Sequence, residues 1–173
     1  MTGPKIQLID SFITSSQDLF VMLVKDVAWD DRMKARKTAS FGVSYDYSGI
    51  TYPQTDMPAY LIEICKRIQA TIGFMPNNCL MNYYPDGSSS MGYHSDSSEE
   101  LLEGTGVAVL SLGAERHIWY KSKTDKDLVF KYKMKSGTLL YMNNAVQEQW
   151  LHAIPKEDNV AGRISLTFRN IIK

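Results

Sequence analysis

His94 and Asp96 stand two residues apart, and His152 and Arg163 follow them along the chain. Positions i and i+2 of an extended strand point to one face, so His94 and Asp96 can offer an imidazole nitrogen and a carboxylate oxygen to a single ion. With His152 the set becomes two histidines and one carboxylate, the facial arrangement that leaves open positions on a non-haem Fe(II) for a co-substrate and dioxygen. Arg163 then reads as the anchor of an anionic co-substrate, because a guanidinium forks onto a carboxylate through two parallel bonds. Short H-x-D patterns also arise by chance, and a surface histidine bonded to a nearby aspartate is the ordinary alternative. The chain has only three histidines, however, and two of them fall where an iron site needs them. The third, His117, has no carboxylate at i+2 and reads as a partly buried strand residue.

Strands must position these groups. Residues 79–84, 107–112, 117–121, 128–134, 138–142, 152–154 and 163–170 read as short strands, punctuated by turn-forming residues at 85–87, 104–106, 135–137 and Pro155. Many short strands with regular turns imply a barrel or sandwich. Two helices precede them. One is expected over residues 15–26 behind capping serines, and a second runs from Pro58 through Leu61, Ile64, Cys65, Ile68 and Ile72 to a stop at Gly73. In the last strand, RISLTFR at residues 163–169, Arg163, Ser165, Thr167 and Arg169 share one face and Ile164, Leu166 and Phe168 the other. A water-facing edge strand would alternate in the same way, but beside the triad a polar interior that lines an anion site is the better reading.

Composition bounds the answer without deciding it. With 173 residues, 44% apolar and 22% charged, the chain suits one soluble globular domain over residues 1–173. A formal net charge of zero argues against coating nucleic acid by bulk electrostatics, yet leaves room for local patches. RMKARK at residues 32–37 carries four positive charges and is followed by Phe41, Tyr45 and Tyr47, so it reads as phosphate contact. Residues 121–135 hold six lysines against two aspartates and read as a solvated face. Cys65 and Cys79 have no metal spacing and are expected to pack as small hydrophobes. There is no secretory pattern and no run of 18 apolar residues, so an intracellular protein off the membrane is expected, cytoplasmic or, in a eukaryote, nuclear.

Around the triad stand NYYPDG at residues 82–87, LSLG at 110–113, GTLLYM at 137–142, Gln147, Trp150 and the final RISLTFR. In this order, over residues 78–171, they resemble the core of the AlkB family of Fe(II)/2-oxoglutarate-dependent dioxygenases. RKTASFG and YDYSG, within residues 36–49, resemble the substrate lid of its nucleic-acid-repair members. The resemblance implies an α+β, mainly β fold. A double-stranded β-helix, or jelly-roll, core would span about residues 76–173, with N-terminal helices and the lid over about residues 1–75 packed outside.

The resemblance further implies Fe(II) held by His94, Asp96 and His152, with 2-oxoglutarate and O2 as co-substrates. Arg163 and Tyr84 would hold the distal carboxylate of 2-oxoglutarate, Asn82 and Arg169 the other end, with Ser165 in the same pocket. The implied reaction is oxidative demethylation of N-alkylated bases, releasing formaldehyde, succinate and CO2. The lid is short for probing duplexes, so single-stranded DNA or RNA is the expected partner of a monomeric enzyme. A reacting base must be flipped out or already unpaired, and such a base is gripped by stacking. Phe41 and Tyr45 are the candidate stackers, Arg36 and Lys37 the candidate phosphate contacts, and Tyr93 and Trp29 weaker lid candidates. One departure concerns Ser98, which stands where repair members commonly carry an acid; Glu99 and Glu100 follow just beyond, so either a glutamate, Glu99 first, moves in near the base or base preference differs. Two alternatives stay open: the same iron chemistry on a protein side chain or small molecule, and a non-catalytic binding module, against which the intact triad and both arginines stand.

Overall fold

The strict alternation of the last strand dictates a sheet with an apolar layer on one side and a polar chamber on the other. A computed structural model describes residues 2–172. The elements run β1 (Gln7–Ile9), α1 (Ser16–Asp26), β2 (Lys37–Gly42), β3 (Tyr45–Tyr47), β4 (Ile50–Tyr52), α2 (Ala59–Ile72), β5 (Asn78–Tyr84) and β6 (Met91–His94). They continue with β7 (Val107–Gly113), β8 (Arg116–Ser122), β9 (Val129–Met134), β10 (Leu139–Met142), α3 (Asn144–Gln149), β11 (Trp150–Ile154) and β12 (Arg163–Arg169). Two antiparallel sheets form the body, a large one in the order β1-β10-β7-β12-β5-β2 and a smaller one in the order β6-β11-β8-β9. Strands β3 and β4 form a separate hairpin.

Two cores flank the large sheet. Ile164, Leu166 and Phe168 of β12 are fully buried and join Leu23 of α1 and Leu61, Ile64, Cys65 and Ile68 of α2. The helices therefore cover the outer face, as the 3.6-residue periodicity of α2 requires. Between the two sheets lie Tyr84, Val109, Ile118, Tyr120, Leu140, Met142 and Ile154. This is the mainly β jelly-roll expected, with helices outside. Both cysteines are buried as free thiols, and no helix among the described residues is long and apolar enough to cross a membrane.

The N-terminal segment departs from expectation. It supplies not only helices and a lid but both edge strands of the large sheet, β1 on β10 and β2 on β5. RKTASFG is therefore mostly strand β2, and the hairpin β3–β4 reaches the chamber through Tyr47. Gly42 makes this turn possible. It sits at φ +89°, and a Cβ there would lie 2.1 Å from the Asn77 carbonyl oxygen.

Candidate metal centre and co-substrate pocket

His152 on β11 lies directly opposite His94 at the end of β6, and their rings are 4.3 Å apart between centroids. Strand β6 ends at His94, so Asp96 follows in irregular chain rather than on a continuing strand, yet its carboxylate still turns to the same side. One ligand atom from each of His94, Asp96 and His152 lies within 4.8 Å of the other two.

Neighbouring groups fix each ligand. His94 Nδ1 lies 2.9 Å from the Gly92 carbonyl oxygen, which can only accept, so Nδ1 carries the proton and Nε2 is left with a free lone pair. Asp96 is bracketed by Gln147 of α3, whose Oε1 accepts from the Asp96 backbone N–H at 3.0 Å and whose Nε2 donates to Oδ2 at 3.4 Å. Asn143 caps α3 by accepting from the Val146 N–H, which sets the helix that carries Gln147. The other Asp96 oxygen meets Arg169 Nη2 at 3.2 Å. Burial works against the Asp96 charge, but Arg169, His152 and His94 outweigh it and hold the carboxyl below its usual range. Burial lowers His152 to about 4 despite Asp96, so its imidazole is neutral at physiological pH, the form a metal requires.

The polar face of β12 opens onto the same chamber. Arg163, Ser165, Thr167 and Arg169 line it together with Asn82, Tyr84, Tyr47 and Met91. Arg163 is 1% exposed, donates from Nε to Ser111 Oγ at 2.8 Å and lies over the Tyr84 ring. Among the described residues, its Nη1, together with Nε and Nη1 of Arg169, has no hydrogen-bond partner. Buried guanidinium N–H groups without acceptors are costly, and a dicarboxylate in the chamber would satisfy them. The donor set thus fits Fe(II), and the orphaned donors fit 2-oxoglutarate.

The lid assignments need correction. Arg36 is buried and spent inside the protein: it donates to Asn82 Oδ1 at 2.8 Å, to the Ser90 carbonyl at 3.1 Å and to the Tyr47 hydroxyl. Phe41 packs against the helix-side core, because on β2 it alternates with Ser40 and so faces away from the chamber. Lys37 is exposed but shares the parity of Phe41. Tyr45 is buried, with the Arg169 guanidinium over its ring, so it buttresses the arginine rather than presenting a free stacking face. Glu99 is exposed in the turn after Asp96 and does not line the chamber. Trp29 packs on Tyr83 and donates to the Leu23 carbonyl.

Tyr47 and Met91 line the chamber, and Ser111 and Gln147 support Arg163 and Asp96 from behind it, all four without a role expected from the sequence. Period-two reading of YDY, with Tyr45 and Tyr47 on one face, held the signal for Tyr47. For Ser111, the signal was its alternation with Leu110 and Leu112.

The description "2OG-Fe(II) oxygenase superfamily" belongs to a family model that matches residues 20–169. The chain is 31% identical over 148 residues to human DNA oxidative demethylase ALKBH2, covering 79% of this chain and 57% of the relative. It is 33% identical over 169 residues to mouse alpha-ketoglutarate-dependent dioxygenase alkB homolog 3, covering 86% and 59%. It therefore spans somewhat over half the length of these relatives. The solved structure of OsALKBH1 matches with a TM-score of 0.70 at 19% identity, over 98% of this chain and 100% of that one.

Proposed function

The chain belongs to the AlkB family within the 2OG-Fe(II) oxygenase superfamily, and from that premise we propose that it is a dioxygenase domain that oxidatively demethylates N-alkylated bases in single-stranded nucleic acid. The observation that carries this reading is the clustered His94, Asp96 and His152 facing a chamber where two buried arginines keep unpaired donors. The names of the relatives, one a DNA oxidative demethylase, support nucleic acid as the substrate class.

In this reading His94, Asp96 and His152 hold Fe(II), and Gln147 and Arg169 fix the carboxylate that faces it. Arg163, steadied by Ser111 and Tyr84, binds the distal carboxylate of 2-oxoglutarate. Asn82, Ser165 and Arg169 line the remainder of the pocket. Iron, 2-oxoglutarate and O2 together supply the oxidising power that hydroxylates an N-methyl carbon, which leaves as formaldehyde alongside succinate and CO2. Tyr47 takes the place first given to Phe41. Its ring lines the chamber on the β3–β4 hairpin, tied to the body by Arg36, and it can flank a base brought to the metal.

A panel of methylated single- and double-stranded oligonucleotides, read by mass spectrometry, tests the proposal. Loss of a methyl mass from single strands, faster than from duplexes, is the expected result. Succinate formation with no change in any oligonucleotide would move the reaction to a protein side chain or small molecule.

A further inference from the structure

The face of the small sheet opposite the metal carries an arrangement that the lysine count alone did not reveal. His94, His152 and Tyr120 point inward in register across β6, β11 and β8. The alternate positions of the same strands, Trp119, Lys121 and Leu151, face outward. Tyr93 joins them, because its ring lies beneath the Lys121 ammonium, 4.0 Å from the ring centroid. Trp119 carries the Lys131 ammonium at 3.9 Å. Both rings are partly exposed. Lys133, on the same face, is held by Glu115 at 2.7 Å, whereas among the described residues neither Lys121 nor Lys131 has a carboxylate partner.

We propose that Tyr93, Trp119, Lys121 and Lys131 form a track for the single-stranded nucleic acid that flanks the reacting nucleotide. This rests on the nucleic-acid reading of the iron site. Strand β6 is the edge of its sheet, and Tyr93 is the residue before His94, so a strand leaving the metal has one edge to round before it meets the first ring. The second ring stands two strand spacings further, roughly 10 Å away. A base that stacks on either ring displaces an ammonium, which then stays within reach of the adjoining phosphate. Partly exposed rings beside cations that have no carboxylate partner among the described residues are what sequence-tolerant single-strand binding uses. An acidic peptide would satisfy the lysines and leave the rings idle.

The test is fluorescence anisotropy with unmethylated, labelled single-stranded DNA of 4 and 12 nucleotides on the anaerobic Fe(II)-loaded protein. The longer strand is expected to bind at least about tenfold more tightly, since each stacked base contributes on that scale. Lys121→Ala with Lys131→Ala should remove most of this advantage and lower the slope of log affinity against log salt by about 1.4, twice the single-strand value per charge. Trp119→Ala should weaken the 12-mer about tenfold, and Trp119→Phe should restore it. Equal affinity for both lengths overturns the track, as do lysine variants that bind like the wild type, or tighter binding of polyglutamate than of DNA. Turnover of a methylated trinucleotide by the wild-type protein, too short to reach Trp119, reads the iron-site proposal separately.

Discussion

Asp96 faces the candidate metal centre and a buried arginine at once, and this decides what its removal does. A carboxylate that served only as a ligand could be lost with little change in stability. Here Asp96→Ala also strands the Arg169 guanidinium, already short of partners at Nε and Nη1. Stability should fall by about 3–5 kcal/mol together with loss of iron. Denaturant titration of the metal-free variant checks the first effect, and a loss below about 1 kcal/mol would mean that the ion pair is immaterial. Arg163→Lys keeps a charge but loses the planar fork and the bond to Ser111 Oγ. The variant should retain Fe(II) and need more 2-oxoglutarate for half-maximal turnover, and an unchanged requirement would assign the anchor to Arg169. His152 gives a pH signature. Its folded pKa is about 4 against 6.5 for the free group. Below about 6.5 the unfolded chain therefore takes up a proton that the folded chain refuses, and the metal-free protein should lose stability as pH falls from there towards about 4. His152→Gln should flatten that decline in urea titrations, and an identical decline would exclude the histidine as its source.

At the scale of elements, β2 and the β3–β4 hairpin divide roles that the sequence blurred. Aromatic residues after a basic run look alike, but only parity on the strand decides which ring meets the helices and which meets the chamber. Phe41 sits on the helix side, so Phe41→Ala should act as a core truncation, lowering stability by about 2–4 kcal/mol and leaving the 2-oxoglutarate requirement of the folded fraction intact. Tyr47→Ala also takes an acceptor from the buried Arg36, so some stability is lost, but unlike Phe41→Ala it should raise the apparent KM of the folded fraction for methylated oligonucleotide. Should Tyr47→Ala leave that KM unchanged, the hairpin is not the substrate lid. Strand β12 was legible in full because its alternation is strict and its polar and apolar faces both found their layers. The edge strands β1 and β2 were not. They are short, and what defines them is pairing with β10 and β5, which are remote in sequence.

At the scale of the molecule, the small sheet carries His94 and His152, with Asp96 just beyond the end of β6, and the large sheet carries Arg163 and Arg169, so the proposed site exists only when the two faces close. The ordered motifs made the jelly-roll readable and marked His94, Asp96, His152 and Arg163, which the fold brings to one chamber, since each is a local pattern of residue types. The fates of Arg36, Tyr45 and Glu99 were unreadable, because burial and ion pairing are set by what lands opposite after folding. The most direct test of the whole account is anaerobic titration of the purified protein with Fe(II) and 2-oxoglutarate, followed by the visible charge-transfer band of the chelated metal. One Fe(II) per chain with that band is expected for the wild type, with the band lost in His94→Ala, Asp96→Ala and His152→Ala and shifted to higher 2-oxoglutarate concentration in Arg163→Lys. A folded Asp96→Ala or His152→Ala protein that binds iron and develops the band as the wild type does would contradict it.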